Sequence, residues 1–224
     1  MCCLCTRDNK VQQRYKIKLR TQNSKLKTLM VTNINQLDPI NGIYTYAEYL
    51  LWKFEERVEL LKGKLFKMSA PSPTHQMVQS NLNIELGLFF KGKKCQIYPA
   101  PFDVRLPVKG EIGDAIHTVV QPDLCVVCDP DKIDNRGCVG APDLLIEIIS
   151  PGNSKKELKS KFQLYEEVGV REYWVIHPVE EYVIVNVLED GHYKTLNPIV
   201  DDQVCSVIFP TLKIHTKDIF RGGF

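Results

Sequence analysis

The stretch "DLLIEIISPG", residues 143–152, decides the fold. Leucine and isoleucine fill nearly every position before the Ser-Pro-Gly, so it reads as a strand apolar on both faces. Strands of that kind are covered on both sides, which predicts a sheet with helices packed against it. Glu147 stands in the middle of the run. A carboxylate buried there costs several kcal/mol unless a cation or a metal meets it.

The rest of the chain bounds what that carboxylate can be for. With 224 residues, 44% hydrophobic and 25% charged, the composition is that of an ordinary globular protein. No apolar run reaches the ~18 residues of a membrane span, and the N-terminus lacks the apolar core of a signal peptide. A cytoplasmic location is expected. The net charge of +2 hides an asymmetry: residues 1–29 contribute +7, which leaves the body at −5. Those 29 residues read as a basic, flexible tail, and residues 30–224 as a single domain. Basic charge supplies most non-specific affinity for nucleic acid, and here it lies mainly outside the body.

Eight cysteines in a chain of this length, without a secretory leader, are expected as reduced thiols rather than a disulfide framework. Cys125 and Cys128 form a C-x-x-C, but "DLCVVC" reads as a strand. Residues three apart on a strand point to opposite faces, which suits neither a zinc site nor a redox turn. Cys2, Cys3 and Cys5 lack a second ligand pair.

Periodicity and turn chemistry give the elements in order. Thr45 and Glu48 form a capping box, with Tyr46, Leu50, Leu51 and Phe54 at helical spacing behind it. "RVELLKGKLFKM" (57–68) reads as a hairpin turning at Lys62-Gly63. A second helix opens with Ser72 as N-cap and Pro73 at its first position, and carries Val78, Leu82 and Leu86 on one face. "CQIYPAPFDVRL" (95–106), "VVQPDLCVV" (119–127) and "DLLIEII" (143–149) are expected as neighbouring strands of one sheet. Ser154 with Glu157 makes another capping box, for a helix that Gly169 ends. The strand "VREYWVIHP" (170–178) and a hairpin turning at Asp190-Gly191 follow. The class expected is α/β or α+β.

"QPDLCVV" places Asp123 near the start of the strand before Glu147, and adjacent strands lie ~4.8 Å apart. If the two pair, both carboxylates can face one pocket. One is then protonated or a cation sits between them, and hard oxygen donors suit magnesium or manganese. The carbonyl of Ile148 is a further possible donor. A buried ion pair between Glu147 and an Arg or Lys explains the same residue equally well. On the following helix, Leu158, Phe162 and Tyr165 make the apolar stripe. Lys161 lies beside it, Lys155 sits in the first turn, and Lys156 and Lys159 point away. Helical geometry leaves Lys161 and Lys155 both open.

The segments "VQPDLCVV", "APDLLIEIISPGNSKKELKSKFQLYEEVGVREYWVIHP" and "RVELLKGKLFKMSAPSPTHQ" resemble the Uma-two family of restriction endonucleases, a branch of the PD-(D/E)xK nuclease superfamily. The likeness covers roughly residues 40–220 and is most specific from Pro142 to Pro178. It implies a restriction-endonuclease-like core, a mixed sheet with flanking helices. It also implies that Asp123 and Glu147 are metal ligands. The position two after Glu147 is Ile149 rather than the superfamily's lysine, and the resemblance moves that role to Lys161. Glu59 matches an acidic position that completes the metal site, and His75 matches a histidine near it. Gln121 and Tyr165 become supports of the site, and Asp143 a second "PD" away from the metal. The activity implied is Mg2+- or Mn2+-dependent hydrolysis of DNA, with a homodimer as a possible assembly. The competing reading is a nuclease-like module that binds a nucleic acid or protein without turnover.

Overall fold

Alternation along β9 (Leu144–Ile148) sorts the protein into two sides of one sheet. Leu144, Ile146 and Ile148 enter one buried cluster, while Leu145 joins another. The computed structural model describes residues 30–108, 110–150 and 155–222. The basic segment 1–29, its three cysteines and the Ser154 cap lie outside these residues.

In chain order the elements are α1 (Tyr46–Tyr49), β1 (Val58–Leu61), β2 (Lys64–Lys67), α2 (Pro73–Phe90), β3 (Gln96–Pro99), β4 (Val104–Arg105), β5 (Val119–Val120) and β6 (Leu124–Val127). Next come β7 (Ile133–Asp134), β8 (Gly137–Val139), β9, α3 (Lys155–Glu167), β10 (Glu172–His177), β11 (Tyr182–Glu189), β12 (His192–Thr195), β13 (Gln203–Cys205), β14 (Lys213–His215) and α4 (Thr216–Phe220). The larger sheet runs β12-β11-β10-β9-β6-β3, in which only β9 and β10 are parallel, the two strands that α3 connects. Helix α2 packs Val78, Leu82, Leu86 and Phe90 on one face. The opposite face, with Cys125, Leu145 and Tyr173, is covered by Leu164 and Tyr165 of α3 and by residues of a second sheet. That sheet runs β2-β1-β5-β4-β8-β7.

Three expectations need correction. The segments 95–106 and 119–127 do not each make one strand. Both break at prolines, Pro101 and Pro122, which interrupt ladder hydrogen bonding, and their halves enter different sheets. Only β3, β6 and β9 are shared in one sheet as expected. The first helix keeps its Thr45–Glu48 capping box but lasts a single turn. Val31 bonds to both Leu51 and Lys53, which draws that segment into extended backbone before Phe54 is reached. Finally, the thiols are not all reduced: Cys95 and Cys128 form a disulfide, their Cα atoms 3.9 Å apart. The β3–β6 register pairs Gln96 with Val127, so the next rung brings those two cysteines face to face. Cys125, buried in the other cluster, is free, and the two members of the C-x-x-C therefore do face opposite ways.

The hairpin turns and the second helix follow the sequence. Lys62 and Gly63 take φ of 51° and 80°, and Asp190 and Gly191 take 51° and 82°, the paired positive φ values that a two-residue hairpin needs. Ser72 accepts the His75 N–H at the start of α2, with Pro73 at its first turn.

Candidate active site

The strand parity that builds the core also builds the site. The β6–β9 register pairs Leu124 with Ile146, so one rung further Asp123 lies opposite Glu147. Cys125 and Leu145 mark the side on which both acids fall, the side of α3 and the second sheet. Asp123 is held by two backbone groups and two side chains. Its Oδ2 accepts the Ile148 N–H at 2.7 Å, its carbonyl accepts from Ala100 N at 3.0 Å and from Gln79 Nε2 at 2.9 Å, and His75 Nε2 lies 3.2 Å from Oδ2.

Helix α3 brings in an amine. Its most buried face runs through Lys161, Leu164 and Tyr165, while Leu158 and Phe162 are half-buried beside it. Lys161, 5% exposed, places Nζ 3.0 Å from Glu147 Oε1 and 2.9 Å from Glu59 Oε2. Tyr165, one turn on, donates its hydroxyl to the same Glu147 Oε1 at 2.7 Å. Glu59 comes from β1, where Leu61 shares its parity and enters the cluster under α3. Its Oε1 also accepts the Gln121 N–H at 2.8 Å.

Gln121 sits at the junction of the two sheets. Its side-chain N–H groups reach Asp103 Oδ1 at 2.8 Å and Tyr49 OH at 3.2 Å, and its carbonyl oxygen accepts from Arg57. Beside this junction lies a cleft of about 310 Å3 whose lining includes Arg57, Glu59, Lys67, His75, Asp123, Glu147 and Lys161.

Burial drives the electrostatics. Loss of water raises the Glu147 pKa to about 7, aided by the charges of Glu59 and Asp123 and opposed by Lys161 and the Tyr165 hydroxyl. Burial alone would discharge Lys161, but the charges of Glu147 and Glu59, with a hydrogen bond to each, hold it well above its ordinary value. The lysine is therefore a cation throughout the ordinary pH range. Burial likewise pushes Tyr165 well up, so it remains a donor.

The sequence-derived residues Asp123, Glu147, Lys161, Glu59, His75, Gln121 and Tyr165 thus converge in one region. Of the two explanations of Glu147, the ion pair is present, with Lys161, and it lies inside the cleft. Lys155 and Lys159 are exposed. Asp143 stays at the other end of β9, accepting the Cys128 N–H and pairing with Arg171. The expected ligand set of three carboxylates needs correction. Among the described residues no group of three acids, histidines or cysteines is gathered for a metal, because Lys161 occupies the space between Glu59 and Glu147. Arg57 was not anticipated. It lies two residues before Glu59, and the period-two alternation of a strand was the available signal.

The donors still suit a hard dication. The bonds described above use Oδ2 of Asp123 and Oε1 of Glu147, the second oxygen of each takes part in none of them, and both residues line the cleft. Magnesium commonly takes one or two carboxylates and completes its shell with water and phosphate oxygens.

The family model of Uma2, described as "Putative restriction endonuclease", matches residues 46–216, about three quarters of the sequence. The chain belongs to the Uma2 family. That span contains all seven residues brought together at the cleft. An uncharacterized Synechocystis protein is 23% identical to this Uma2 chain over 161 residues, 70% of this chain and 81% of its own length. A crystal structure described as a putative nuclease belonging to DUF820, from Anabaena variabilis, superposes with a TM-score of 0.61 at 22% identity. It covers 79% of this Uma2 chain and 97% of its own. At that identity the likeness speaks for the fold, a mixed α+β architecture with flanking helices. No helix among the described residues is long and apolar enough to cross a membrane.

Proposed function

We propose that this Uma2 protein is a Mg2+- or Mn2+-dependent nuclease that hydrolyses DNA phosphodiester bonds at the cleft. One observation carries the reading. An acid pair in register on adjacent strands shares a cleft with a lysine that is fully charged and held by two carboxylates. The dication, held by Asp123 and Glu147, would supply Lewis-acid polarisation of the scissile phosphate.

The chain's own groups then have distinct tasks. Glu59 presents both oxygens to Lys161 and acts as its holder rather than as a ligand. An ammonium has three donors. With one directed to Glu59 and one to Glu147, the third is available to a phosphate oxygen or to the attacking water, where fixed positive charge stabilises the charge that develops. Tyr165 fixes Glu147 through Oε1, and the residue itself lines the cleft. His75 and the Ile148 N–H orient Asp123 in the same way.

The test is cleavage of plasmid and linear DNA by the purified protein and by Glu147→Gln, with magnesium, manganese or chelator. Metal-dependent cleavage that falls about 100-fold or more in the variant, with thermal stability retained, supports the proposal. Cleavage unchanged by the substitution overturns the assignment of Glu147. If the wild type shows neither cleavage nor metal-dependent stabilisation, the non-catalytic binding module is the correct reading.

A further inference from the structure

We infer that Arg57 forms a phosphate-binding subsite at the mouth of the cleft and anchors one backbone phosphate of the nucleic-acid strand whose neighbouring bond is cut. The inference rests on the nuclease reading and adds to it a residue that binds without taking part in bond breaking. The cleft is lined by three basic side chains, Arg57, Lys67 and Lys161, and their charges are in different states. Lys161 is buried and committed to Glu59 and Glu147. Lys67 stands 3.7 Å from Glu56. Arg57 is exposed, and its bonds to a described side chain go to a neutral group, the Gln121 carbonyl oxygen, from Nε at 3.2 Å and Nη2 at 2.8 Å.

Two properties follow. The guanidinium charge is not offset by the partner that positions it, so it remains available to an anion. It is also held in place, because Gln121 is itself fixed by Asp103 and Tyr49 and its backbone N–H is bonded to Glu59. Gln121 engages one edge of the planar guanidinium, which leaves the Nη1 donors and the second Nη2 hydrogen for phosphate oxygens, the geometry in which Arg exceeds Lys. Since Glu59 holds Lys161 on the same chain of contacts, the spacing between the anchored phosphate and the proposed reaction centre is set by one rigid network. Backbone contacts of this kind fix register and carry no base preference.

The experiment measures binding of a short labelled DNA duplex in a Glu147→Gln background, so that the duplex remains intact, across a series of salt concentrations with magnesium present. Arg57→Gln and Arg57→Lys are compared with the parent. The expected result for Arg57→Gln is several-fold weaker binding and a slope of log affinity against log salt smaller by about one. Arg57→Lys is expected to keep the parent slope while losing part of the affinity, because the charge stays and the fork is lost. An Arg57→Gln slope equal to the parent's, or Gln and Lys variants that behave alike, overturns the subsite and leaves the nuclease reading standing. A wild-type protein, still folded by thermal denaturation, that neither binds nor cleaves the duplex overturns both.

Discussion

Glu147 is the most telling residue of the candidate site, because its surroundings pull on its proton from opposite directions. Burial and two neighbouring acids raise its pKa from 4.5 to about 7, against the pull of Lys161 and Tyr165. A carboxyl raised in the folded state holds a proton that the unfolded chain has already released. Its contribution to stability is therefore fully present below about pH 4.5 and is lost as pH rises through about 7. Urea denaturation of the wild type is expected to lose up to about 3 kcal/mol across that window from this group, a slope that Glu147→Gln should lack. The same proton competes with a dication, so magnesium affinity measured by calorimetry is expected to fall about tenfold per pH unit below pH 7. Flat profiles in both measurements contradict the perturbed carboxyl. Glu147 stood out in the sequence as a charge inside an apolar run, and Asp123 as the acid after Pro122 where the preceding strand begins. Arg57 did not stand out, because an exposed arginine just before a strand looks the same whether or not a glutamine holds it in place.

At the scale of elements, what could be read depended on whether a signal was local. Capping residues at Thr45 and Ser72 and the Lys62-Gly63 and Asp190-Gly191 turns act within a few residues, and each appears where its chemistry predicts. The length of α1 and the splitting of segments 95–106 and 119–127 are set by partners distant in sequence, such as Val31 against Leu51 and Lys53. Glu172 on β10 makes the same point. Fully buried, it accepts from Trp174 Nε1 at 2.6 Å, the Ser206 hydroxyl at 3.1 Å, and the Val207 and Ile208 N–H groups at 2.8 and 2.9 Å. One carboxylate thereby ties the loop after β13 to the central sheet, on the face away from the cleft. Glu172→Ala is expected to cost about 3–5 kcal/mol in urea denaturation, since it leaves several buried donors unpaired. Metal affinity of the folded variant should be unchanged. A loss below 1 kcal/mol, or a parallel loss of metal binding, contradicts that separation.

For the molecule as a whole, the site exists where two sheets and two helices meet. β9 supplies Glu147 and the residue just before β6 is Asp123, β1 of the second sheet supplies Glu59, α3 supplies Lys161 and α2 supplies His75. The sequence put the segments 95–106, 119–127 and 143–149 in one sheet and left the hairpin that carries Glu59 without a stated place. The second sheet gives it one by packing on the α3 side, where Glu59 pairs with Lys161. The central claim is that Asp123 and Glu147 together bind a divalent ion. Its most direct test is anomalous diffraction from crystals equilibrated with saturating manganese. A peak is expected about 2.2 Å from a carboxylate oxygen of each residue. A cleft without that peak, or a manganese ion bound elsewhere while Asp123 and Glu147 keep their bonds to Ile148 and Lys161, would contradict it.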